Sequence, residues 1–335
     1  MNNWKKYALG AVLVTAAGFA YVNNSHRNIP TDLRDAVIDG AALDSRFAAT
    51  EKGSGTVPVP KAPVPAGTGA VDKGYAESNR LSAGVSFQPV QWVTIPGGKF
   101  MMGTDGGEQG FKDTSPRHEV DIRTFDMSKT LVTVEQYADC VAKGRCTKLG
   151  IYDPNYCNWG MPGRELHPIN CVSWRQANQY AEFIAEHPGF EGARLSSESE
   201  WEYAAKSGGR DQKYPWGDEA PTCDKAVMYG NGGYGCSKSY TMPVCSKPAG
   251  NTAQGLCDMA GNIGQWVQDK FRSYKHTPVD GRAYESVFGS FRVLRGGCSR
   301  SNDNPGNMRV DYRQLGEFPD KNFSSYGFRL ARSSR

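Results

Sequence analysis

Cysteines constrain the fold of this chain more than any other feature, because disulfides stabilise exported domains that carry little regular structure. Eight of the nine cysteines form four pairs of close neighbours along the sequence. These pairs are Cys140 and Cys146, Cys157 and Cys171, Cys223 and Cys236, and Cys245 and Cys257. Disulfides between neighbours are the simplest arrangement, although other connectivities stay open and zinc is the competing interpretation. The absence of Cys-x-x-Cys spacing and the presence of only five histidines favour disulfides, which leaves Cys298 over as a thiol.

The N-terminus has the pattern of an export signal. Lys5 and Lys6 precede an uncharged, largely apolar run at residues 7–22. This run is short for a permanent bilayer-spanning helix, which needs about twenty residues. We therefore expect residues 1–24 to be a signal peptide or an N-terminal membrane anchor. The rest of the protein is then periplasmic, and a retained signal tethers it to the inner membrane.

Composition separates a spacer from a globular domain. Prolines at 58, 60, 63 and 65 alternate with small and aliphatic residues, and glycines flank them. Such a segment cannot bury enough apolar surface to fold alone, so we expect residues 25–86 to be a largely disordered, Pro/Gly-rich spacer. Residues 87–335 contain all the cysteines and are numerous enough to bury a core of their own.

Charge patterning narrows the classes of partner. The formal net charge is +4, and lysines and arginines are scattered among carboxylates with no basic run. This pattern argues against nucleic acid as a partner. Contact with a membrane is expected only through the N-terminal segment.

Hydrophobic periodicity predicts an irregular α+β domain. Strands are expected at 87–95 and 99–102, and helices at 132–141, 174–185 and 196–205. Two more short strands are expected near the C-terminus, at 293–297 and 326–330. Glycines break much of the remaining chain into loops, so the content of regular secondary structure should be low and disulfides should stabilise the domain.

Eight ordered sequence blocks resemble the formylglycine-generating enzyme, or sulfatase-modifying factor, family. The blocks are Val93–Gly103, Pro116–Val120, His167–Trp174, Arg194–Ala205, Tyr214–Gly217, Gly255–Asn262, Arg292–Gly297 and Gly327–Arg329. The resemblance implies the family's irregular, C-type-lectin-like fold over about residues 91–332. Because this fold hosts several activities, function has to be argued at the site.

The resemblance also locates the family's copper centre, and this chain departs from it. In the family, two cysteines after an Arg-Gly-Gly-Ser motif hold Cu(I), which reacts with oxygen to convert a sulfatase cysteine to formylglycine. By position, the motif's serine is Cys298 here, and the copper cysteines are Ser301 and Gly306. A hydroxyl is a poor Cu(I) ligand and glycine has no side-chain ligand, so copper is not expected. Cys298 stays as a candidate catalytic thiol, and no clustered histidine spacing supports the iron site of the family's sulfoxide synthase branch.

A calcium site is implied more strongly by the family pattern. Its ligands map to the side chains of Asp258 and Gln265 and to the backbone carbonyls of Gly261 and Ile263. All of these are oxygen donors, which Ca²⁺ prefers. The alternative is that Asp258 caps the turn at Gly261 and Asn262.

Polar residues occupy the stretch where the family has its substrate groove. We expect them to line a groove for a ligand or a partner, although a solvated loop is the alternative. The residues are Arg300, Asn302, Asn304, Arg309 and Arg313.

Two hypotheses for function follow from the resemblance. The first is a non-copper periplasmic binding or regulatory module that contacts an envelope protein or a membrane-protein ectodomain. One form of this role is activation of a membrane Thr kinase in the control of type VI secretion. The second is a periplasmic oxidative tailoring enzyme of the siderophore-maturation type or, less in keeping with the missing cysteines, a formylglycine-generating oxidase.

Overall fold

A computed structural model describes residues 89–105, 114–150, 155–238, 240–287, 289–299 and 305–334. The predicted signal at 1–24 and the predicted spacer at 25–86 lie outside these residues. Within them, no helix combines the length and the apolar character needed to cross a bilayer.

Short strands, three helices of eight or more residues and several shorter helical turns make up the described part of the chain, as an α+β fold with long irregular connections. The strands are β1 (Trp92–Ile95), β2 (Gly98–Met102), β3 (His118–Ile122), β4 (Phe125–Ser128), β5 (Arg194–Leu195), β6 (Gly264–Lys270), β7 (Arg292–Arg295), β8 (Gln314–Glu317), β9 (Tyr326–Phe328) and β10 (Leu330–Ser333). The helices are α1 (Val134–Ala142), α2 (Trp174–Ala185) and α3 (Glu198–Ala205).

The strands form two four-stranded sheets and a hairpin. The first sheet has the order β1-β4-β10-β5, the hairpin joins β2 to β3, and the second sheet has the order β8-β7-β6-β9. In the second sheet β6 pairs antiparallel with β7, which places Gln265 opposite Arg295. The same strand pairs in parallel with β9. Strand β7 ends at Arg295, so the loop that carries Cys298 leaves from the middle of this sheet.

Capping residues set the start of each helix. Helix α2 has the predicted bounds, whereas α1 and α3 each begin two residues later than the apolar pattern suggested. In each case a Ser or Thr with extended backbone accepts a hydrogen bond from the third helical residue, whose side chain returns one. The capping pairs are Thr133 with Gln136, Ser173 with Gln176, and Ser197 with Glu200.

Four disulfides join the neighbouring cysteines, which confirms the simplest pairing. The bonds are Cys140–Cys146, Cys157–Cys171, Cys223–Cys236 and Cys245–Cys257. Each closes a short loop, with a sequence separation of 6 to 14 residues. Cys298 lies outside these bonds.

Buried ion pairs connect helix α3 to strand β7. The Glu202 carboxylate forms an ion pair with Lys206 Nζ at 2.8 Å and accepts a hydrogen bond from the Gly103 backbone N–H at 2.8 Å. It also forms an ion pair with the Arg295 guanidinium. One turn earlier, Glu198 accepts two hydrogen bonds from Arg313, at 2.6 and 2.8 Å. Burial opposes ionisation of Glu202, but the charges of Lys206 and Arg295 lower its pKa to about 2. The carboxylate therefore stays charged in the interior.

We predict that Glu202→Gln lowers the free energy of unfolding by about 3–5 kcal/mol, because it removes the buried negative charge that Lys206 and Arg295 share. Urea unfolding at neutral pH measures the effect. The matched control is Glu119→Gln, which removes an exposed carboxylate paired with Lys99 at 2.9 Å and should leave stability unchanged. Equal stability of the two variants would contradict a structural role for the buried pair.

Candidate functional site

The loop after β7 is held against the turn at residues 259–262. The Gly261 N–H donates to the Gly296 carbonyl at 2.8 Å, and the Ser299 N–H donates to the Asn262 carbonyl at 3.0 Å. Gly296 has a φ of +94°, and a Cβ there would lie 2.9 Å from Gln265 Nε2. Only glycine fits this position, so the approach to Cys298 is fixed by backbone contacts.

Cys298 lies half-buried at the end of this fixed segment. The nearby Tyr326 hydroxyl has a raised pKa, first because of burial and then because of the charges of Glu317 and Cys298. The predicted residues Arg300, Ser301, Asn302 and Asn304 lie outside the described residues. Gly306 is described, and it is buried in the 3₁₀ turn Pro305–Met308.

A group of aromatic side chains lies beside the described end of this loop. Tyr240 lies at the centre of this group, with its ring centroid 5.0 Å from that of Tyr156 and 6.2 Å from that of Tyr234. The Tyr240 hydroxyl accepts a hydrogen bond from the Ser324 hydroxyl at 3.2 Å. We call the five residues Tyr156, Tyr229, Tyr234, Tyr240 and Phe323 the aromatic surface. The Gly235 N–H, beside Tyr234, donates to the Ser299 carbonyl at 3.4 Å, which links this surface to the Cys298 loop.

Three members of the aromatic surface are open to solvent. Tyr156 and Tyr234 are each 37% exposed and Phe323 is 46% exposed. Tyr229 contacts Tyr234 edge to face at 5.6 Å, and Phe323 contacts Tyr326 at 5.0 Å. Exposed aromatic rings that hold one another in place are suited to binding, because they offer a large contact area at a small cost in conformational entropy.

Of the four positions predicted to hold calcium, the two that would offer side-chain oxygens, Asp258 and Gln265, already accept hydrogen bonds from protein N–H groups. The Gln265 amide oxygen already accepts from Trp201 Nε1 at 2.9 Å and from Arg329 Nε at 2.7 Å. Asp258 Oδ2 accepts from the Cys245 N–H at 2.8 Å, and Oδ1 lies 3.5 Å from Asn262 Nδ2. The buried Arg329 guanidinium places a positive charge beside these oxygens, which would repel a cation. The alternative reading, that Asp258 braces the turn at Asn262, agrees with these contacts.

Two predicted groove residues are described, and they differ in exposure. Arg309 forms a two-bond ion pair with Asp311, at 2.9 and 2.7 Å. The prediction for Arg313 is wrong: its side chain is buried against Glu198, and its guanidinium stacks on the Phe271 and Tyr274 rings. A guanidinium in that position anchors the interior and cannot line an open groove.

Histidines do not assemble a metal centre in the described residues, where no three His, Cys, Asp or Glu side chains converge. His167 bonds through Nδ1 to the Thr241 hydroxyl at 2.8 Å, and burial lowers its pKa to about 4. His118 bonds to the Pro116 carbonyl at 2.9 Å. The His118 contact is local, whereas the His167 contact joins segments 74 residues apart, and each holds its ring to a protein oxygen.

Sequence reasoning missed the aromatic surface. The glycine-rich segment from 229 to 240 has tyrosines interspersed with Gly, Ser and Asn. That composition is typical of binding loops, and it is the signal that could have found the surface.

We predict that Ca²⁺ has no effect on thermal unfolding, because Arg329 and other N–H groups already occupy the oxygens of Asp258 and Gln265. The melting temperature should be the same in millimolar CaCl₂ and in excess EGTA. A rise of several degrees with one Ca²⁺ bound per chain would contradict this, and Asp258→Asn would then show whether these oxygens hold the ion.

Comparisons with known proteins agree with this fold. Serine/threonine-protein kinase pkn1 of Chlamydia caviae is 31% identical over 266 residues, which cover 72% of this chain and 38% of the kinase. The formylglycine-generating enzyme of Streptomyces coelicolor is 30% identical over 296 residues, which cover 71% of this chain and 88% of the enzyme. This chain thus spans 38–39% of the length of the Chlamydia kinases that it matches.

Solved structures share the architecture. PvdO from Pseudomonas aeruginosa superimposes with a TM-score of 0.62 at 29% identity, covering 72% of this chain and 94% of PvdO. Treponema denticola variable protein 1 shares the fold, with a TM-score of 0.56 at 21% identity over 75% of this chain and 98% of that protein. The defining pattern of one family, the sulfatase-modifying factor enzyme 1-like domain, matches residues 80–334. The chain therefore belongs to the sulfatase-modifying factor family.

Proposed function

We propose that this chain is a periplasmic binding and regulatory protein whose aromatic surface contacts an envelope protein. The observation that carries the proposal is the set of exposed rings, Tyr156, Tyr234 and Phe323, that the buried Tyr240 and the Cys298 loop support. In this proposal the protein keeps a surface for binding a partner but does not carry out the family's copper chemistry.

The count of thiols supports a role without copper. Disulfides use eight of the nine cysteines, so Cys298 is the one cysteine of the whole chain outside them. A Cu(I) centre of the family type needs two thiolates, and this chain alone supplies at most one. Ser301 and Gly306 do not replace the missing sulfur ligands.

The kinases in the comparison suggest the class of partner. A region that makes up 38% of a serine/threonine-protein kinase is related to this chain, so the fold occurs within kinase polypeptides. In our proposal a domain of this fold and a kinase are separate chains that bind each other. The partner of this chain is then the ectodomain of a membrane Thr kinase. A role in the control of type VI secretion stays a prediction from the family resemblance.

Photo-crosslinking from Cys298 tests the proposed surface. The protein is labelled with benzophenone-maleimide at Cys298 and illuminated with the purified ectodomain of a membrane Thr kinase from the same genome. We expect a covalent adduct, and we expect Tyr234→Ala to weaken the affinity about tenfold or more by removing an aromatic anchor. Calorimetry with the unlabelled protein measures that affinity.

The matched control moves the label to another face. In a Cys298→Ser, Glu182→Cys variant the benzophenone is attached to the exposed side of α2, and the adduct should be lost while the affinity is kept. Equal crosslinking from both positions, or no affinity for any membrane kinase ectodomain of that genome, would overturn the proposal.

Oxidative tailoring is the second candidate, and the similarity to PvdO and to the hercynine oxygenase of Mycolicibacterium smegmatis favours it. The latter is 27% identical over 71% of this chain and 60% of the oxygenase. In that case Cys298 is the candidate residue for the chemistry.

This second candidate predicts that Cys298→Ser abolishes oxidative maturation of a siderophore precursor by cells while leaving the melting temperature unchanged. The thiol reaches only half into the protein, so serine should fit its place. Maturation at the parental rate in the variant would remove Cys298 from any mechanism, and Cys298→Ala would separate loss of the thiol from an effect of the new hydroxyl.

A further inference from the structure

The rings of the aromatic surface are held in place by the backbone beneath them. The buried Asn170 side chain donates through Nδ2 to the Tyr156 carbonyl at 2.7 Å and to the Ser324 carbonyl at 2.6 Å. The Cys171 N–H donates to the Phe323 carbonyl at 3.2 Å, and Cys171 is disulfide-bonded to the residue after Tyr156. The surface is therefore preorganised, so binding there costs little conformational entropy on the side of the protein.

Two exposed rings of this surface are steeply inclined to a buried one. The ring planes of Tyr156 and Tyr234 make angles of 70° and 81° with that of Tyr240, which is 5% exposed. Each outer ring is 37% exposed, so part of its apolar area is open to contact. Surfaces lined by neighbouring aromatic rings are the sites at which Pro-rich peptides bind in the polyproline II conformation.

The chain carries a Pro-rich sequence of its own. We call residues 57–65, which contain four prolines, the proline segment. Within it, Pro60 and Pro63 have the Pro-x-x-Pro spacing, which places two prolines on one side of a polyproline II helix, about 9 Å apart. The centroid distances from Tyr240, 5.0 Å to Tyr156 and 6.2 Å to Tyr234, allow the two outer rings to lie that far apart. The spacing of the prolines is therefore compatible with that of the rings.

The length of chain before the domain allows this contact within one molecule. Residues 66–88 separate the proline segment from Pro89, the first described residue. A coil of that length has a root-mean-square span of about 25–30 Å and reaches about 75 Å when fully extended. A domain of about 250 residues has a radius of gyration of only about 18 Å. The whole domain surface is thus within reach, and a tether of this kind gives an effective concentration in the millimolar range.

We propose that the proline segment binds the aromatic surface of its own molecule and competes there with the partner. This inference rests on the proposed function, because it assigns the regulation of the same surface. Pro60 and Pro63 contact the rings of Tyr156 and Tyr234, and the partner binds only after displacing them. The apparent affinity for the partner is then reduced by the fraction of molecules in which the surface is free.

Calorimetry with a synthetic peptide of residues 56–66 tests the proposal without any partner. The parental full chain is compared with a proline-free full chain, in which alanine replaces Pro58, Pro60, Pro63 and Pro65. The tethered segment competes with the added peptide in the parental chain only. The peptide should therefore bind the proline-free chain at least about tenfold more tightly. Equal affinity for the two chains, or no binding to the proline-free chain, would overturn the proposal.

Further variants of the proline-free chain locate the contact. Tyr234→Ala should weaken peptide binding about tenfold, because it removes an aromatic anchor. The control is Val287→Ala, which truncates an 86% exposed apolar side chain outside the aromatic surface and should leave the affinity unchanged. Unchanged affinity in the Tyr234→Ala variant would contradict binding at the aromatic surface.

Sedimentation distinguishes a contact within one molecule from exchange of the segment between two copies. We expect the parental and proline-free chains to have the same molecular mass, and a dimer that the alanine replacements dissociate would overturn the assignment to one molecule. No kinase enters these measurements. Failure of the peptide to bind would leave the kinase contact standing, and failure of every kinase ectodomain would leave the peptide result standing. Where both contacts form, the proline-free chain should bind the ectodomain about tenfold more tightly than the parental chain.

Discussion

Glu202 and Arg295 lie opposite each other in the interior, where neither side chain reaches solvent. Taking two charges out of water costs several kcal/mol for each ion, which only close and complete pairing offsets. Lys206 and the Gly103 N–H satisfy the remaining acceptor positions of Glu202, and the Tyr312 carbonyl accepts a hydrogen bond from Arg295 Nη1 at 2.6 Å. These contacts therefore hold four parts of the chain in one arrangement: helix α3, the end of β2, strand β7 and the segment before β8. Displacing any one of them would leave a buried charge without its partner, so the loop beyond Gly296 takes its position from this cluster.

Patterns that are local in sequence were predictable, and those that depend on distant contacts were not. Helix α2 could be bounded because Ser173 and its apolar spacing act within one segment. Strand β4, by contrast, is buried at all four positions from Phe125 to Ser128, so it lacks the alternation that marks a strand. Strand β6 is buried along most of its length for the same reason. Its parallel pairing with β9 joins segments about sixty residues apart, which no local pattern can indicate.

The features of the candidate site that follow from residue identity could be predicted from the sequence. Those that depend on which neighbour a side chain contacts could not. Ser301 and Gly306 rule out two thiolates by identity alone. The roles of Gln265 and Arg313 depend on which neighbour each side chain meets, and those neighbours, Arg329 and Glu198, lie at least 64 residues away in sequence.

The disulfides have a consequence for the order in which the protein is assembled. Each joins a cysteine to the next one along the chain, with no bridge nested inside or crossing another. A chain that enters an oxidising compartment N-terminus first can therefore close each bond with the correct mate as soon as that mate emerges. Cys298 arrives after all four bonds can have closed, so vectorial oxidation alone leaves it reduced. Correct pairing then requires only a thiol oxidase, with no isomerase to reshuffle mispaired bonds.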